Sequence, residues 1–245
     1  MNEYEKTVHL YDDGIGKVQY ISHMGSDITV VNSARVSFGT TRTELDRRDR
    51  KLIRYLVTHR HTSTMEHCNI SFKFTVPLFI RSQHHRHRTW SYNEISRRYT
   101  QKDMRFYCPE LFRTQHKSNR QASNIDSLFD PFLWHKEDSE VIPAFHPPAS
   151  EAYREHCLNS LRLFNELIDK GVCREQARGI LPQTLYTEYY GTASLLNCLK
   201  FIGLRLHEGA QWEIQQVARA MLGILEDLYP ITTGFYKEIW FDKQE

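Results

Sequence analysis

Polar and charged side chains are concentrated in residues 86–99, which read R-H-R-T-W-S-Y-N-E-I-S-R-R-Y. The guanidinium groups in this stretch offer planar pairs of donors that match the oxygens of phosphate. Because Ser91, Glu94 and Ser96 lie between the arginines, a purely solvated basic face is the less favoured interpretation. The pattern predicts a binding site for a ligand with more than one phosphate. The arginines are Arg86, Arg88, Arg97 and Arg98.

Three functional classes are compatible with such a site. The first is an enzyme that binds a nucleotide or dinucleotide cofactor. The second is a protein that binds single-stranded nucleic acid, with Trp90, Tyr92 and Tyr99 as stacking platforms. The third is a metal enzyme that uses the histidines at 59–67 and 84–87. These histidines lack the H-E-x-x-H or cysteine-rich spacing of a metal site, so we predict no metal ligand.

An enzyme of the first class would lack the common phosphate-binding loops. Gly14-Ile15-Gly16 is not a G-x-G-x-x-G sequence that follows a strand, and the chain has no Walker loop. A Rossmann fold is therefore not predicted. If a dinucleotide binds, arginines and serines must hold its phosphates.

The charge of the chain is nearly balanced, with 32 Lys and Arg against 30 Asp and Glu. Since a protein that coats nucleic acid needs a broader basic surface, nucleic acid is the weaker alternative and is not expected as a partner. The N-terminus has no signal-peptide core, and no apolar run is long enough to span a bilayer. We expect a cytoplasmic protein with no membrane partner and five reduced cysteines.

The elements next to the motif are predicted by periodicity. Residues 68–76 alternate between apolar and polar side chains, which predicts a strand with one buried face that ends at Pro77. Pro77 favours the first turn of a short helix that runs toward Gln83 and Arg86. A strand and helix of this kind would support the motif rigidly.

The rest of the chain is predicted to be mostly helical. Strands are expected at 17–22, 104–111 and 185–190, and a surface excursion at 113–150, where periodicity is lost. Helices are expected to begin at Ser26-Asp27, to cover 44–59, 157–168, 175–181, 194–206 and 210–228, and to follow Pro230. No linker divides the chain, so we predict one α+β domain over residues 1–245.

The motif R-H-R-x-x-S-x-N-E-x-S-x-R-Y, read from Arg86 to Tyr99, resembles the signature of the flavin-dependent thymidylate synthases. Further segments are similar to that family: residues 33–37, 61–67, 177–182 and 210–215, with Gln83 upstream of the motif. The resemblance covers roughly residues 17–235. It implies an α+β fold with a small, mostly antiparallel sheet and several long helices.

The resemblance also implies a reaction. It would be the reductive methylation of dUMP to dTMP, with 5,10-methylenetetrahydrofolate as carbon donor, FAD as hydride carrier and NADPH as reductant of the flavin. The family acts as a homotetramer whose active sites are shared between subunits. No cysteine nucleophile is implied, and Ser96 is interpreted as a ligand of dUMP because the motif offers no plain base to activate it.

Site residues follow from the same resemblance. Arg205 is implied as the catalytic residue at the uracil, and Arg178 as a dUMP ligand that comes from another chain. The segment before Arg205 departs from the common family pattern, and Asn197 is the flavin contact that the resemblance implies in this variant segment. The implied dUMP ligands are Gln83, Arg86, Glu94, Ser96, Arg97, Arg98, Arg178 and Arg205. The implied FAD contacts are His61, Ser63, Arg86, His87, Arg88, Glu94 and Asn197.

Overall fold

A computed structural model of the protein describes residues 6–133 and 147–242. Its strands are β1 Thr7–His9, β2 Lys17–Met24, β3 Asn69–Pro77, β4 Ser91–Glu94, β5 Phe112–Gln115, β6 Ser123–Phe129 and β7 Tyr186–Ser194. Its α-helices are α1 Asp27–Arg35, α2 Arg47–Thr58, α3 Leu78–His84, α4 Ala149–Asp169, α5 Arg174–Ala177, α6 Leu195–Leu206, α7 Trp212–Leu228 and α8 Pro230–Tyr236. Short 3₁₀ helices cover Val36–Phe38, Thr62–His67 and Arg178–Ile180, and one π-helical turn covers Lys237–Phe241.

The chain forms two compact units. The first comprises Met1–Val76, Ile80–Glu94 and Glu188–Glu245, and the second comprises Pro77–Phe79 and Ile95–Thr187. The motif of residues 86–99 is therefore split between the two units. Its residues up to Glu94 belong to the first unit, and Ser96 to Tyr99 belong to the second. The single-domain organisation stays a prediction.

A five-stranded sheet in the order β1-β2-β3-β7-β4 is the framework of the first unit. β2 pairs antiparallel with β1 and with β3, and β4 pairs antiparallel with β7. The alternation that predicted β3 is confirmed, because Ile70, Phe72 and Phe74 are fully buried on one face. The sheet thus carries the strand of the motif, β4, at its edge.

Helices α6 and α7 pack on each other in the first unit. Their apolar side chains recur at helical spacing, and Leu199, Ile202, Val217 and Met221 are all buried. Helix α2 begins at Arg47, later than the predicted residue 44, because Asp46 is its N-cap and accepts hydrogen bonds from the backbone N–H groups of Arg48 and Asp49.

The second unit has a smaller core around Phe164, Ala177, Leu181 and Leu185. Helix α4 ends at Asp169 and is stopped by Gly171 as predicted, since φ of Gly171 is +88° and the N–H groups of residues 171 and 172 bond to the last helical carbonyls. It begins at Ala149, earlier than predicted, because its first turns are too exposed to show an apolar period.

One prediction of local structure is wrong, and one hairpin was not predicted. Residues 104–111 do not form a strand, and only an isolated bridge joins Phe106 to Leu185. The excursion predicted at 113–150 contains the hairpin of β5 and β6 and the start of α4, while 134–146 lie outside the described residues. The hairpin was missed because most of its side chains are partly or fully exposed, so it has no apolar face that alternation could reveal.

Within residues 6–133 and 147–242, no helix combines the length and the apolar character that crossing a membrane requires.

Candidate active site

Helix α3 ends in a tight turn that presents the first basic residues of the motif. The N–H of His85 bonds to the carbonyl of Arg81, and the N–H of His87 bonds to the carbonyl of His84, both at 2.9 Å. Arg86 and Arg88 on this turn are exposed, and in the described part of the chain their guanidinium groups have no hydrogen-bond or ion-pair partner. Both groups are available to an anion.

Tyr92 in β4 braces this turn from behind. Its hydroxyl donates to the carbonyl oxygens of His84 at 3.0 Å and His87 at 3.2 Å. Its ring lies on that of His85, with centroids 4.0 Å apart. In the paired strand, Tyr92 lies opposite Gly191, where a Cβ would be only 2.9 Å from the ring of Phe74. Only glycine allows the strands and the aromatic core to approach this closely.

His84 belongs to that aromatic core and not to the ligand side of the turn. It is fully buried, its Nδ1 lies 2.8 Å from the hydroxyl of Tyr189, and its ring meets those of Phe74 and Trp90 edge to face. Burial lowers the pKa of His84 well below its usual value, and the nearby charge of Arg205 contributes in the same direction. His84 is therefore a neutral packing residue at neutral pH.

Arg205 reaches the turn from the last turn of α6. Its Nε donates to Nε2 of His87 at 3.2 Å, and its Nη2 donates to the carbonyl of Gln83 at 3.4 Å. Burial, followed by the charge of Arg205, lowers the pKa of His87 to about 4, so this imidazole is neutral at pH 7 and accepts the bond. Nη1 of Arg205 has no partner among the described residues, which leaves it for a ligand.

Glu94 ends β4 opposite Tyr189 and forms an ion pair with Arg81, with Nε and Oε1 3.1 Å apart. Both side chains are partly exposed, so this pair contributes little to the free energy of unfolding and mainly orients the carboxylate. Sequence reasoning did not single out Arg81, because no local pattern marks a cation on α3 as the partner of an acid on a later strand.

The other predicted flavin contacts lie along α6 and the segment that packs on it. Asn197, in the first turn of α6, directs its Nδ2 to the carbonyl of Thr89 in the motif at 3.5 Å. His61 precedes the 3₁₀ helix that packs on α6, and its ring stacks on Tyr55 with centroids 5.6 Å apart. Ser63 is exposed on that 3₁₀ helix. Asn197 thus contacts the backbone of the motif directly.

In the second unit, Ser96 to Tyr99 form a turn. The Ser96 carbonyl accepts from the N–H of Tyr99 at 3.0 Å, and the Ser96 hydroxyl accepts from the N–H of Arg98 at 3.3 Å. Arg97 is turned toward protein: Nη1 donates to the carbonyl of Lys102 at 2.6 Å and Nη2 to that of Tyr186 at 3.4 Å. Its guanidinium therefore holds the loop.

Arg98 and Arg178 are the exposed arginines among the predicted dUMP ligands of the second unit. Arg98 donates to the hydroxyl of Tyr99 at 3.0 Å and keeps further N–H groups for a ligand. Arg178 begins a 3₁₀ helix, and its guanidinium has no hydrogen-bond or ion-pair partner among the described residues. The assignment of ligands to these residues stays a prediction.

Comparison with known proteins identifies the family. Residues 19–231 match the family described as thymidylate synthase complementing protein. The chain is 40% identical over 232 residues to the flavin-dependent thymidylate synthase of Thermus thermophilus, an alignment that covers 95% of this chain and 78% of the relative. It is 37% identical over 217 residues to the enzyme of that name from Kosmotoga olearia, an alignment that covers 89% and 88% of the two chains.

A solved structure has the same fold. The UMP/dUMP methylase PolB from Streptomyces cacaoi, bound with 5-Br dUMP, aligns with a TM-score of 0.77 and 28% identity over 95% of this chain and 98% of that one. The predicted α+β fold with a small antiparallel sheet and several helices is confirmed. The fold of this chain is therefore the one seen in a UMP/dUMP methylase. The chain belongs to the flavin-dependent thymidylate synthase family. These findings do not support the alternative of a nucleic-acid-binding protein.

Proposed function

We propose that this protein converts dUMP, 5,10-methylenetetrahydrofolate, NADPH and a proton into dTMP, tetrahydrofolate and NADP⁺. Family membership over residues 19–231 and the likeness to a dUMP methylase support this reaction. The observation that carries the proposal is the contact of Arg205 with His87 and with the carbonyl of Gln83. It joins the arginine implied at the uracil to the motif implied at the phosphates and the flavin.

Arg205 would polarise the pyrimidine. Its Nε and Nη2 are bonded to protein, so the guanidinium is held in one orientation while Nη1 stays available. A fixed cation next to the uracil would stabilise negative charge that develops on the ring during transfer of the one-carbon unit. Neutral His87 accepts a bond from this cation and adds no competing charge.

The residues of the first unit fit a flavin dinucleotide. Arg86 and Arg88 are exposed guanidinium groups without protein partners among the described residues, which leaves all their donors for phosphate oxygens. We assign His61, Ser63, His87, Glu94 and Asn197 to the same cofactor. When bound, FAD would supply the hydride that completes the methyl group, and NADPH would reduce it. The protein's own part is to bind and orient.

The nucleotide would be held by Gln83, Arg86, Glu94, Ser96, Arg97, Arg98 and Arg178. We assign the exposed guanidinium of Arg98 to the phosphate, because the Arg97 guanidinium is occupied by carbonyls and the backbone N–H of Arg98 donates to the Ser96 hydroxyl. We further propose a cytoplasmic homotetramer in which Arg178 serves the site of another subunit. The exposed, unpartnered guanidinium of Arg178 supports that role.

The experiment is to purify the protein, record its absorption spectrum and assay the three substrates together. We expect a flavin spectrum, oxidation of NADPH that depends on dUMP, and formation of dTMP and tetrahydrofolate in equal amounts. The proposal is wrong if the protein neither binds flavin nor oxidises NADPH in response to dUMP. Sedimentation of the same preparation tests the tetramer separately.

A further inference from the structure

Three side chains of the first unit form a hydrogen-bonded chain that ends at a predicted nucleotide ligand. Nε2 of Gln83 donates to Oε1 of Gln211 at 2.5 Å, and Nε2 of Gln211 donates to Oε2 of Glu213 at 2.9 Å. Glu213 is only 3% exposed, and Gln211 is the N-cap residue of α7. The segment 210–215 resembles the family, but the resemblance gave it no role.

The carboxylate determines the direction of every bond in this chain. A carboxylate oxygen can only accept, so Gln211 must turn its NH₂ group toward Glu213. The side-chain carbonyl oxygen of Gln211 then faces Gln83, which must donate a hydrogen bond to it from its own NH₂ group. An amide can be built in either orientation, but here the reverse orientation would bring two oxygens together at the carboxylate.

The free end of the chain is consequently an acceptor. Oε1 of Gln83 has no hydrogen-bond partner among the described residues. It is also not one of the side-chain atoms that are fully buried without a partner in that part of the chain. The carbonyl of Gln83 is bonded to Arg205, which fixes the backbone beside the free oxygen. A ligand that meets Gln83 here must offer a donor to satisfy this oxygen.

We propose that Glu213 and Gln211 are positioning residues that orient the amide of Gln83, so that its oxygen binds a hydrogen-bond donor of the nucleotide. This inference rests on the proposed function, since dUMP is the ligand. The nucleotide has two such donors, the 3′-hydroxyl of the sugar and the N3–H of the uracil. Both can donate to an amide oxygen, but the hydroxyl can also accept a hydrogen bond, whereas N3–H can only donate.

The direction of the chain can be reversed by mutation. In Gln211→Lys, the ammonium donates both to Glu213 and to Gln83, so the Gln83 amide must turn its oxygen inward and offer NH₂ to the ligand. In the double variant Gln211→Glu with Glu213→Gln, the carboxylate is moved by two residues but still accepts from Gln83. Net charge and size are kept in the double variant, and the orientation of Gln83 is retained.

Calorimetric titration with dUMP separates these variants. Where Gln83 faces N3–H, Gln211→Lys replaces the hydrogen bond by an opposed pair of donors, and we expect it to bind dUMP about tenfold more weakly. Where Gln83 faces the 3′-hydroxyl, which can also accept, we expect Gln211→Lys to bind the 3′-O-methyl analogue, which can only accept there, about tenfold more tightly than wild type does. The added positive charge would favour a phosphate, so electrostatics cannot explain a loss. We expect the double variant to bind within about threefold of wild type. Equal affinities of the two variants for both compounds would overturn the inference.

A second measurement needs no change at Gln211. Wild type and Gln83→Ala are titrated with dUMP, with the 2′,3′-dideoxy analogue and with the N3-methyl analogue. The analogue that lacks the donor bound by Gln83 should lose affinity for wild type but not for Gln83→Ala. If Gln83→Ala changes none of the ratios, the inference is wrong. A wild-type protein that binds no dUMP would instead refute the proposed function.

Discussion

The two parts of the arginine-rich motif are held by different means. Up to Glu94, the backbone is paired with β7 and braced by Tyr92, and Arg86 and Arg88 are left exposed and unpartnered. After Ile95, the backbone forms a turn, and the guanidinium of Arg97 holds it by two carbonyls. Arg86 and Arg88 are therefore free for a ligand because other groups already hold their part of the chain.

Arg205 combines the two roles, because its guanidinium bonds to His87 and the carbonyl of Gln83 and also has a donor left for a ligand. Arg205→Ala removes the cation from the predicted uracil site, so we expect turnover to fall about 100-fold or more while flavin stays bound. Steady-state kinetics and the flavin absorbance of the purified variant measure the two effects. Arg50→Ala, at an exposed position of α2, is the control. Loss of flavin with intact turnover per bound flavin would mean that Arg205 serves the cofactor.

Adjacent arginines in the second part should behave differently from each other. Arg98→Ala removes an exposed guanidinium, and we expect dUMP affinity to fall about tenfold with little change in the midpoint of urea unfolding. Arg97→Ala leaves the carbonyls of Lys102 and Tyr186 without their donor, and we expect a loss of about 1–2 kcal/mol in the free energy of unfolding. Similar results for both variants would contradict the division of roles.

Tyr92→Phe tests the brace of the first part. The ring stays in the aromatic core, but the carbonyls of His84 and His87 lose their shared donor, so we expect about 1 kcal/mol less stability and a weaker affinity for flavin. Thermal unfolding and flavin titration measure these losses. Tyr190→Phe is a matched control, since this neighbouring tyrosine is 46% exposed. If Tyr92→Phe and Tyr190→Phe have the same unfolding temperature and the same affinity for flavin, the hydroxyl of Tyr92 does not support the turn.

Acidification should weaken the contact between His87 and Arg205 in the same part of the molecule. Burial and the charge of Arg205 hold the pKa of His87 at about 4 in the folded state, against an ordinary value of about 6.5 in the unfolded chain. Between these pH values the unfolded chain binds more protons than the folded chain. The contribution of His87 to the free energy of unfolding is therefore fully present above pH 6.5 and is lost as the pH falls toward 4. The pKa values of His84 and His85 are shifted in the same direction.

His87→Gln isolates the contribution of His87. We expect its unfolding temperature to depend less on pH between about 6.5 and 4 than that of wild type, while His84 and His85 keep part of the slope. Thermal scans in buffers of constant ionic strength give the comparison. An unchanged slope would show that His87 is not the titrating group.

Local sequence patterns were sufficient to predict many of the helices and strands of this protein. Strict alternation predicted β3 because a strand at a sheet surface buries every second residue, and the apolar spacing of α7 predicted its buried face for the equivalent reason. Exposed elements such as β5 and β6 were missed, because side chains that contact solvent leave no period. The density of the motif was enough to predict an anion site.

The sequence by itself determined the family, the basic motif and the strand and helix that support it. Only the tertiary structure decided which side chains meet: Arg205 with His87, Gln83 with Gln211, and Arg81 with Glu94. Periodicity reports each residue's own environment, whereas these pairs depend on the order of strands and the packing of helices. The same chemistry, a guanidinium, therefore became a loop support at Arg97 and an available donor at Arg86.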